Sequence, residues 1–429
     1  MSIKNSNKPK LVIGMGASAG GLDAFRSFFS KMPKNTGIAF VLLPHLDPNH
    51  QSLMAPLLAT KINMPVLEVS ENMVVKADHV YILPAGKEIT ISALHLHLND
   101  IEHPRQGWTV IEHFLSSLAK DQGERSVAII LSGTGCHGTL SFRDITIAGG
   151  IIIAQDPSTA SSPQMPQNAI DTGLVDMIIA PDKMPAILID YVSHSYFENP
   201  PNTIAEDILK DMSRILAYLR SRIKYDFSGY RKNMLLRRIQ RRMCVNQSNT
   251  LVDYYDLLNV NPEEATALHQ DLLIGVTAFF RDKGAFQFIV KEVMPQLIDK
   301  CTKDNPVRIW VPACATGEEV YTITMLVFEA FEQAKKAVNV QIFASDIDEQ
   351  SLKVAREGVY PKSIVSDFGA DRLERFFELT AKNQYQVKKA LRETIIFATQ
   401  NLISDTPFSR LDLISCRNLF IYFQPQLQS

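Results

Sequence analysis

Short apolar runs rich in β-branched residues alternate with helical segments over most of the chain. Early on, the runs KLVIGMG, IAFVLLP, SVAIILSG and IIIAQD surround helical segments such as Gly20 to Lys31 and Ser52 to Lys61. Later, VRIWVPA, VQIFASD, TIIFATQ and LDLISCR surround helical segments that begin at Glu318 and Gln350. This alternation predicts parallel sheets covered by helices on both faces. We therefore expect an α/β protein with two doubly wound, Rossmann-like sheets.

A segment of different pattern separates the two alternating stretches. The string YVSHSYFENPPNTIA combines a Pro-Pro pair with turn formers, which predicts a linker over residues 192–204. Residues 205–278 show only helical periodicity and predict a small all-α subdomain. We thus expect a polar tail over 1–9, a first α/β domain over 10–191 and a second over 279–429. Inside the first domain, VYILPAGKEITISALHLHL predicts a hairpin on the edge of the sheet.

The composition restricts the class of protein and its compartment. Of the 429 residues, 46% are hydrophobic and 21% are charged, as in globular domains, and the net charge of -2 argues against binding nucleic acid through bulk charge. No apolar run reaches the roughly 18 residues of a membrane helix, and the first ten residues lack the apolar core of a signal peptide. Five cysteines without C-x-x-C spacing argue against disulfides and zinc. We expect a cytoplasmic protein without membrane insertion.

A histidine-rich strand is the best candidate for a metal site. His95 and His97 share one face of LHLHL, and His103 follows. No carboxylate or cysteine joins them at the spacing of metal ligands. A polar face on an edge hairpin explains them better, and we expect no metal.

The turn ACATGEE follows one apolar strand and opens a helix, and Asp346 ends the next strand 27 residues after Glu319. Small residues at the carboxyl end of a strand let a cofactor approach the backbone, and an acid there accepts hydrogen bonds from ribose hydroxyls. Only Gly317 is glycine, so the G-x-G-x-x-G pattern of NAD-binding proteins is absent. An ordinary strand-to-helix turn remains an alternative for this segment taken alone.

A basic amphipathic helix lies in the predicted all-α subdomain. In KNMLLRRIQRRM, Leu235, Ile239 and Met243 recur at i, i+4 and i+8, while Arg238 and Arg242 occupy another face. A solvated charged face and a nucleic-acid patch are the ordinary interpretations. No aromatic platform accompanies the arginines, which disfavours nucleic acid.

Ser18 lies directly after an apolar strand, in the glycine-flanked turn GASAGG that opens a helix. A serine in such a turn has an exposed hydroxyl, and the amides at the helix N terminus can stabilise an oxyanion. The same turn is equally typical of a phosphate loop or of a plain helix cap.

Five segments of the second half occur in the order typical of one enzyme family. TAFFRD, ACATGEE, FASDID, TQNL and CRNLFIYF together resemble the CheR family of chemoreceptor glutamate methyltransferases over roughly residues 205–429. The resemblance implies the cofactor S-adenosyl-L-methionine (SAM). It implies that Thr277 and Arg281 hold the methionine part, with Arg281 near the transferred methyl group, and that Glu319 and Asp346 bind polar groups, Asp346 the ribose.

The same resemblance assigns further roles in this half. Asn401, Leu402 and Asn418 would line the adenosine pocket, and Tyr422 would face the reaction centre. Gly275 stands where the family usually has an asparagine. The basic helix would bind the acidic receptor helix that carries the substrate glutamates, through Arg231, Arg237, Arg238, Arg241 and Arg242. Family members continue beyond CRNLFIYF through closing strands, so we expect a sheet truncated at its C-terminal side.

The first half resembles the catalytic domain of CheB, the chemoreceptor methylesterase. GMGASAGG, LLPHLDPNH, LSGTGCHG, IAQDPSTA and MPQNAI carry the resemblance, over about residues 10–191. It implies a nucleophilic Ser18 and a general base His45. The family's triad aspartate is replaced by His137 in GTGCHG, and Asp144 is out of register.

The substitution at residue 137 leaves three interpretations. A histidine in place of the aspartate does not stabilise the imidazolium that forms on the base, and in a serine protease the loss of this charge lowers kcat about 10⁴-fold. The domain is then an impaired esterase, an esterase that works as a Ser-His dyad, or a binding-only domain.

Together, the two resemblances predict a bifunctional CheB-CheR fusion for sensory adaptation. Its expected partners are methyl-accepting chemoreceptor-like proteins, with response regulator or kinase modules as further candidates, and no nucleic acid. The alternative is a non-catalytic signalling scaffold that binds receptor or partner proteins.

Overall fold

The computed structural model describes most of the chain, namely residues 8–44, 54–60, 62–100, 110–193, 205–273, 275, 277–368, 370–381 and 384–428. Contacts divide the chain into two compact units. The first unit comprises Met1–Ser228 and Lys232–Leu268, and the second comprises Gly229–Arg231 and His269–Ser429. The helices predicted as a separate subdomain therefore belong largely to the first unit.

Seven parallel strands form the main sheet of the first unit, in the order β10-β9-β8-β1-β2-β5-β3. The strand order reverses between β1 and β8, and ligands of such sheets bind at the carboxyl ends of the strands at that point. The strands of this unit are β1 Leu11–Ala17, β2 Ile38–Pro44, β3 Val66–Glu68, β4 Met73–Val74, β5 His79–Ile82, β6 Lys87–Ser92, β7 His95–Asp100, β8 Ser126–Ile130, β9 Ile151–Gln155 and β10 Met177–Ile179.

Both faces of this sheet are buried under helices. Side chains of β1 alternate, so that Ile13 joins the core formed by Phe25 and Phe28, whereas Val12 joins the opposite core with Phe114. Continuous apolar runs are typical of such strands because neither face meets water. The predicted doubly wound sheet is confirmed. The covering helices are α1 Gly21–Lys31, α2 Met54–Ala59, α3 Val110–Gln122, α4 Phe142–Ala148, α5 Gln164–Ile170 and α6 Met184–Ser193.

The predicted edge hairpin is wrong for its first strand. Strand β5 lies inside the main sheet, parallel to both β2 and β3, because its apolar run HVYI is buried on both faces. Only β6 and β7 form an antiparallel hairpin, and they belong with β4 to a separate three-stranded sheet. The alternating burial of β6 is typical of a strand with one covered face.

From residue 205 to 273 the described chain forms four helices, as the all-helical pattern of the sequence predicts. They are α7 Glu206–Ile223, α8 Lys232–Val245, α9 Leu251–Val260 and α10 Pro262–Leu273. Helix α9 begins with a capping box in which Thr250 and Asp253 exchange hydrogen bonds with each other's backbone amides. In α8, Leu235, Ile239 and Met243 are buried, which confirms the predicted apolar stripe.

The second unit contains a four-stranded parallel sheet in the order β16-β12-β11-β17. In chain order this is 3-2-1-4, the order of the first four strands of a Rossmann fold, and the order reverses between β11 and β17. These strands are β11 Val307–Pro312, β12 Val340–Asp346, β16 Ile395–Thr399 and β17 Leu413–Ile414. The second predicted Rossmann-like sheet is thereby confirmed.

Helices and a small antiparallel sheet complete the second unit. The sheet has the order β13-β15-β14, with β13 Val359–Tyr360, β14 Phe377–Leu379 and β15 Tyr385–Val387. The helices are α11 Lys283–Phe288, α12 Met294–Lys300, α13 Glu318–Gln333, α14 Glu349–Glu357, α15 Ala370–Phe376, α16 Lys389–Arg392 and α17 Pro425–Gln428. A π-helical turn over Ile289–Val293 joins α11 to α12.

Candidate functional sites

The turn after β11 has an unusual backbone. Ala313 and Ala315 have left-handed φ angles of 53° and 47°, and Gly317 has a φ of 96°. A Cβ at Gly317 would lie 3.0 Å from the Cβ of Ala355 in α14. Helix α14 can therefore pack this closely against the turn only because residue 317 is glycine. Left-handed non-glycine residues are strained and cluster at ligand sites. The turn therefore suits a ligand that approaches the backbone closely.

Asp346 ends β12 beside this turn. Its Oδ2 accepts a hydrogen bond of 2.8 Å from the amide of Ala315, and its Oδ1 accepts one of 3.0 Å from the amide of Asp348. Burial raises the pKa of Asp346, and the amides of Asp348 and Ala315 oppose this shift. A carboxylate held in this way keeps acceptor capacity for the hydroxyls of a ribose.

Glu319 lies in the first turn of α13, on the other side of the point where the strand order reverses. Its Oε1 accepts a 2.6 Å hydrogen bond from the hydroxyl of Ser415, which follows β17. Burial raises the pKa of Glu319, while the Ser415 hydroxyl and the charges of Arg417 and Arg281 lower it. Both predicted acids thus lie at the carboxyl end of the sheet.

Arg281 lies in a sharply bent segment, TAFFRD, that begins at Thr277. The residues on each side of it, Phe280 and Asp282, have left-handed φ angles of 49° and 61°. The amide of Phe280 donates a 3.2 Å hydrogen bond to the hydroxyl of Thr322 in α13. The segment therefore brings the half-buried Arg281 to the helix that carries Glu319.

The remaining predicted cofactor residues follow β16 and β17. The amide of Gln400 donates to the backbone carbonyl of Asp346, which ties the half-buried Asn401 and Leu402 to that acid. Asn418 is exposed and left-handed, with a φ of 59°. Tyr422 is half-buried in a 3-10 turn, and its backbone carbonyl accepts from the amide of Arg231. Their roles toward the cofactor stay predictions.

Two residues of this site were missed by sequence reasoning. Ser415 and Arg417 lie beside the cofactor-type motif residues, yet neither has a local pattern that indicates a role. Only the fold identifies them, because it brings Ser415 to Glu319 and Arg417 to the backbone of Arg281.

Ser18 lies at the reversal point of the first sheet, directly after β1. Its amide donates a 2.9 Å hydrogen bond to the carbonyl of Ser132, which follows β8. Gly133 packs against Ser18, since a Cβ on that glycine would be 3.0 Å from the Cβ of Ser18. Gly20, with a φ of 77°, caps α1. The nucleophile candidate and the GTGCHG loop are thus neighbours.

The GTGCHG loop is held by side chains from two helices. Asn168 donates to the carbonyl of Gly135 at 2.6 Å, and the amide of Gly138 donates to Glu112, a buried acid that sequence reasoning missed. A Cβ on Gly135 would be 3.1 Å from Nε2 of His137, so this imidazole lies over its own loop.

Two other residues bear on the predicted triad. Asp144 accepts a hydrogen bond from Ser116 in α3, in keeping with its exclusion from the triad. His45 lies outside the described residues, so its geometry with Ser18 stays a prediction.

Most of the predicted receptor-binding arginines make contacts within the protein. Arg241 forms an ion pair with Asp176, and both side chains are about 6–7% exposed. Arg238, also buried, donates to the carbonyl of Thr146 at 2.9 Å. Binding of a receptor by these two arginines would require the contacts to open, because their guanidinium groups lie in the interior of the first unit. The alternative interpretation of these arginines as one solvated charged face does not hold for Arg238 and Arg241, and the receptor-binding role stays a prediction.

The other three arginines are placed differently. Arg242 donates to both carboxylate oxygens of Glu264. Arg237 pairs with Glu124 at 3.0 Å but remains 62% exposed. Arg231 precedes α8, and its Nε donates to the carbonyl of Phe423 at 3.1 Å in the second unit. Arg231 and Arg237 are exposed, whereas Arg242 is half-buried.

In the described part of the chain, no three His, Cys, Asp or Glu side chains are grouped to hold a metal ion. His97 contacts Glu71, and His95 contacts the carbonyl of Ala93. Within the same residues, no helix combines the length and the apolar character that crossing a bilayer requires.

Comparison with known families agrees with this geometry. Residues 13–188 match CheB methylesterase, 210–273 match the all-alpha domain of CheR methyltransferase, and 275–429 match its SAM binding domain. Chemotaxis protein methyltransferase 2 of Pseudomonas aeruginosa is 34% identical over 197 residues, which cover 45% of this chain and 68% of that protein. The chain belongs to the CheB and CheR families. The CheR half matches a domain whose cofactor is SAM.

Two further similarities concern the CheB-CheR pairing and the CheB half. An uncharacterized 104.1 kDa protein of Rhodobacter capsulatus is 35% identical over 397 residues, which cover 87% of this chain and 42% of that protein. The chain thus spans less than half the length of this relative. The crystal structure of the Thermotoga maritima CheB methylesterase catalytic domain shares 25% identity over 42% of this chain and 98% of that one, with a TM-score of 0.39.

Proposed function

We propose that the CheR half methylates glutamate side chains of chemoreceptor-like proteins and that the CheB half hydrolyses the resulting methyl esters. The observation that carries the first activity is the pair of half-buried acids, Glu319 and Asp346, at the carboxyl end of the sheet, with the charge of Arg281 acting on Glu319. The family matches to both halves support the pairing of opposing activities.

The residues of the CheR half fit the cofactor in charge and hydrogen-bonding character. Bound SAM supplies an electrophilic methyl group on a sulfonium. Asp346 offers carboxylate oxygens to ribose hydroxyls, and Glu319 offers a negative charge to the cationic methionine end. Burial raises the pKa values of both carboxyl groups and so disfavours their charged forms. Hydrogen bonds and charge from the bound cofactor would offset this cost.

Methyl transfer to a glutamate needs positioning more than a base. The substrate carboxylate is already ionised at neutral pH and attacks as a nucleophile. The guanidinium of Arg281 would orient this carboxylate, since it donates in a planar fork. The transfer combines an anion with a cation, so charge is neutralised and a site with little water favours it. Tyr422 would line the same reaction centre.

In the CheB half, Ser18 would attack the methyl ester and His45 would take its proton. Amides at the N terminus of α1 lie next to Ser18 and would stabilise the oxyanion. His137 replaces the usual aspartate, and we infer a slow esterase. Glu112 accepts a hydrogen bond from the amide of Gly138, the residue after His137, which places a buried carboxyl group at this loop.

The partners and the location form part of the proposal. Arg237, the exposed arginine of α8, is the side chain best placed to bind an acidic receptor helix. A response regulator or kinase module as partner follows from the sensory function alone. A cytoplasmic location is supported by the cysteines of the described residues, which form no disulfide bond.

Transfer of tritiated methyl groups from SAM to a receptor fragment rich in glutamates tests the main proposal. We expect alkali-labile label in the fragment and saturable SAM binding by calorimetry. A scaffold without catalysis would give neither label nor heat of SAM binding, and that result would refute the proposed methyltransferase. Ser18→Ala in the same assay removes ester hydrolysis as a cause of missing label.

A further inference from the structure

Arg417 lies next to Asn418 and contacts the TAFFRD segment, two places in the candidate cofactor site where the backbone has left-handed φ angles. We propose that Arg417 is the positioning residue that holds Arg281 in its working geometry, an inference that rests on the proposed methyltransferase function. The side chain is 17% exposed and lies between the TAFFRD segment and the turn that carries Asn418. It is too enclosed to serve as an ordinary surface charge.

The backbone around Arg281 needs an external restraint. Phe280 and Asp282, which flank it, both have left-handed φ angles, and neither is glycine. Each such residue costs roughly 1 kcal/mol or more and persists only when its surroundings fix it. A bend of this kind directs the Arg281 side chain only as long as both flanking residues are held.

Arg417 supplies contacts on the C-terminal side of that bend, while the hydroxyl of Thr322 holds the amide of Phe280 on the other side. Its Nη2 donates to the carbonyl of Arg281 at 2.7 Å and to the carboxylate of Asp282 at 2.6 Å. Its guanidinium also lies 4.6 Å above the ring of Phe286, one turn into α11. A planar guanidinium can make these contacts at once, whereas an ammonium group is a point charge without a stacking face.

Arg417 also contributes charge to the acid that faces the cofactor. The charges of Arg417 and Arg281 both lower the pKa of Glu319, against the larger effect of burial, while Asp282 raises it. The nearby thiols stay neutral between pH 5 and 8. Burial raises the pKa of Cys416 to about 11 and that of Cys314 well above its usual value. Removal of Arg417 should therefore raise the pKa of Glu319 further.

Two substitutions separate the clamp from the charge. Arg417→Met removes the positive charge and the clamp, meaning the contacts of the planar guanidinium with Arg281, Asp282 and Phe286. Arg417→Lys keeps the charge and removes only the clamp. SAM affinity is measured by calorimetry from pH 5 to 8, and kcat with a tritiated cofactor and a receptor fragment. Arg410→Met, which removes a guanidinium from an exposed position before β17, is the matched control for net charge.

We expect Arg417→Met to weaken SAM binding about tenfold and to lower kcat about 100-fold, since misplacement of a catalytic group by about 1 Å has that effect. The acidic limit of SAM binding should move to higher pH. Arg417→Lys should keep the wild-type acidic limit and still lose most of kcat. If Arg417 only stabilised the fold, both substitutions would lower affinity and kcat to a similar extent. The pH dependence of SAM binding would then match that of the wild type.

Several results would overturn the inference. If Arg417→Met matches Arg410→Met in affinity, kcat and pH profile while the wild type is active, Arg417 has no positioning role and the proposed function stands. If the wild type binds no SAM and transfers no methyl group, both proposals fail. Should Arg417→Met not fold, Arg417→Lys with wild-type kcat would refute the clamp.

Discussion

Asp346 is proposed to bind the ribose of SAM, and its burial disfavours the charge that this binding needs. Its pKa is raised by burial, so the folded protein binds this proton more tightly than the unfolded chain does. Its contribution to stability therefore falls as pH rises from the ordinary aspartate pKa through the raised folded value. SAM binding has the opposite dependence, because it needs the ionised carboxylate.

Asp346→Asn should accordingly weaken SAM binding by tenfold or more at pH 7.5 and leave the melting temperature of the SAM-free protein unchanged or higher. The amide oxygen still accepts from Ala315, but the buried charge is gone. Calorimetry and thermal unfolding without cofactor measure the two effects. A drop in both affinity and melting temperature would show that Asp346 is mainly structural.

Gly275 stands where the CheR resemblance places an asparagine. A Cβ at this position would meet only the hydroxyl of Ser351, at 3.5 Å, and the φ angle is not left-handed. Gly275→Asn should therefore be accommodated and should tighten SAM binding several-fold. Gly284→Asn, also in open space, is the control for an added surface amide. Equal affinity in the two variants would remove Gly275 from the cofactor site.

His137 occupies the aspartate position of the esterase. His137→Asp restores a negative charge that can orient and stabilise the base, and it should raise methanol release from a methylated receptor fragment by tenfold or more. Ser18→Ala should abolish release in both backgrounds. An unchanged rate in His137→Asp would mean that Glu112 or another group already supplies that charge.

Among the elements, α8 shows where sequence patterns fail. Its apolar stripe was predictable, because the 3.6 period of Leu235, Ile239 and Met243 is a local property. The burial of Arg241 was not, because its partner Asp176 lies 65 residues away and ion-pair formation leaves no local pattern. The prediction for strand β5 was wrong for a related reason. The sequence HVYI is compatible with one strand of a hairpin, and only its pairing with β2 and β3 shows that it lies inside the main sheet.

Two arginines of α8 give a matched test of this burial. Arg241→Met breaks an ion pair whose side chains are about 6–7% exposed, which should cost about 3–5 kcal/mol. Arg237→Met breaks a pair in which the arginine is 62% exposed, which should cost under about 1 kcal/mol. Calorimetric unfolding of the full chain compares them. Similar transitions for the two variants would contradict the buried docking of α8.

At the scale of the whole molecule, the chain carries two candidate sites, each on its own parallel sheet. Both could be located in advance, because the ends of β1 and β11 follow from apolar runs and the motifs follow directly after them. The residues that complete each site, such as Ser415 and Glu112, could not be predicted, since only the fold brings them to the motif.

Separate sites predict separable activities. Ser18→Ala should abolish methanol release and leave the initial rate of methyl transfer within about twofold of the wild type. Asp346→Asn should lower the rate of methyl transfer at subsaturating SAM by about tenfold or more and leave methanol release within about twofold of the wild type. Assays of both reactions on each variant test this, and loss of both activities in either variant would indicate that the two halves work as one catalytic unit.

Asp176 has a second partner besides Arg241: its other carboxylate oxygen accepts a 2.8 Å hydrogen bond from the amide of Ile152 in β9. The position of α8 is thus coupled to the solvent protection of one backbone amide in the sheet. Deuterium uptake at the amide of Ile152 would therefore report, in the intact protein, whether α8 separates from Asp176 when a receptor or SAM is added.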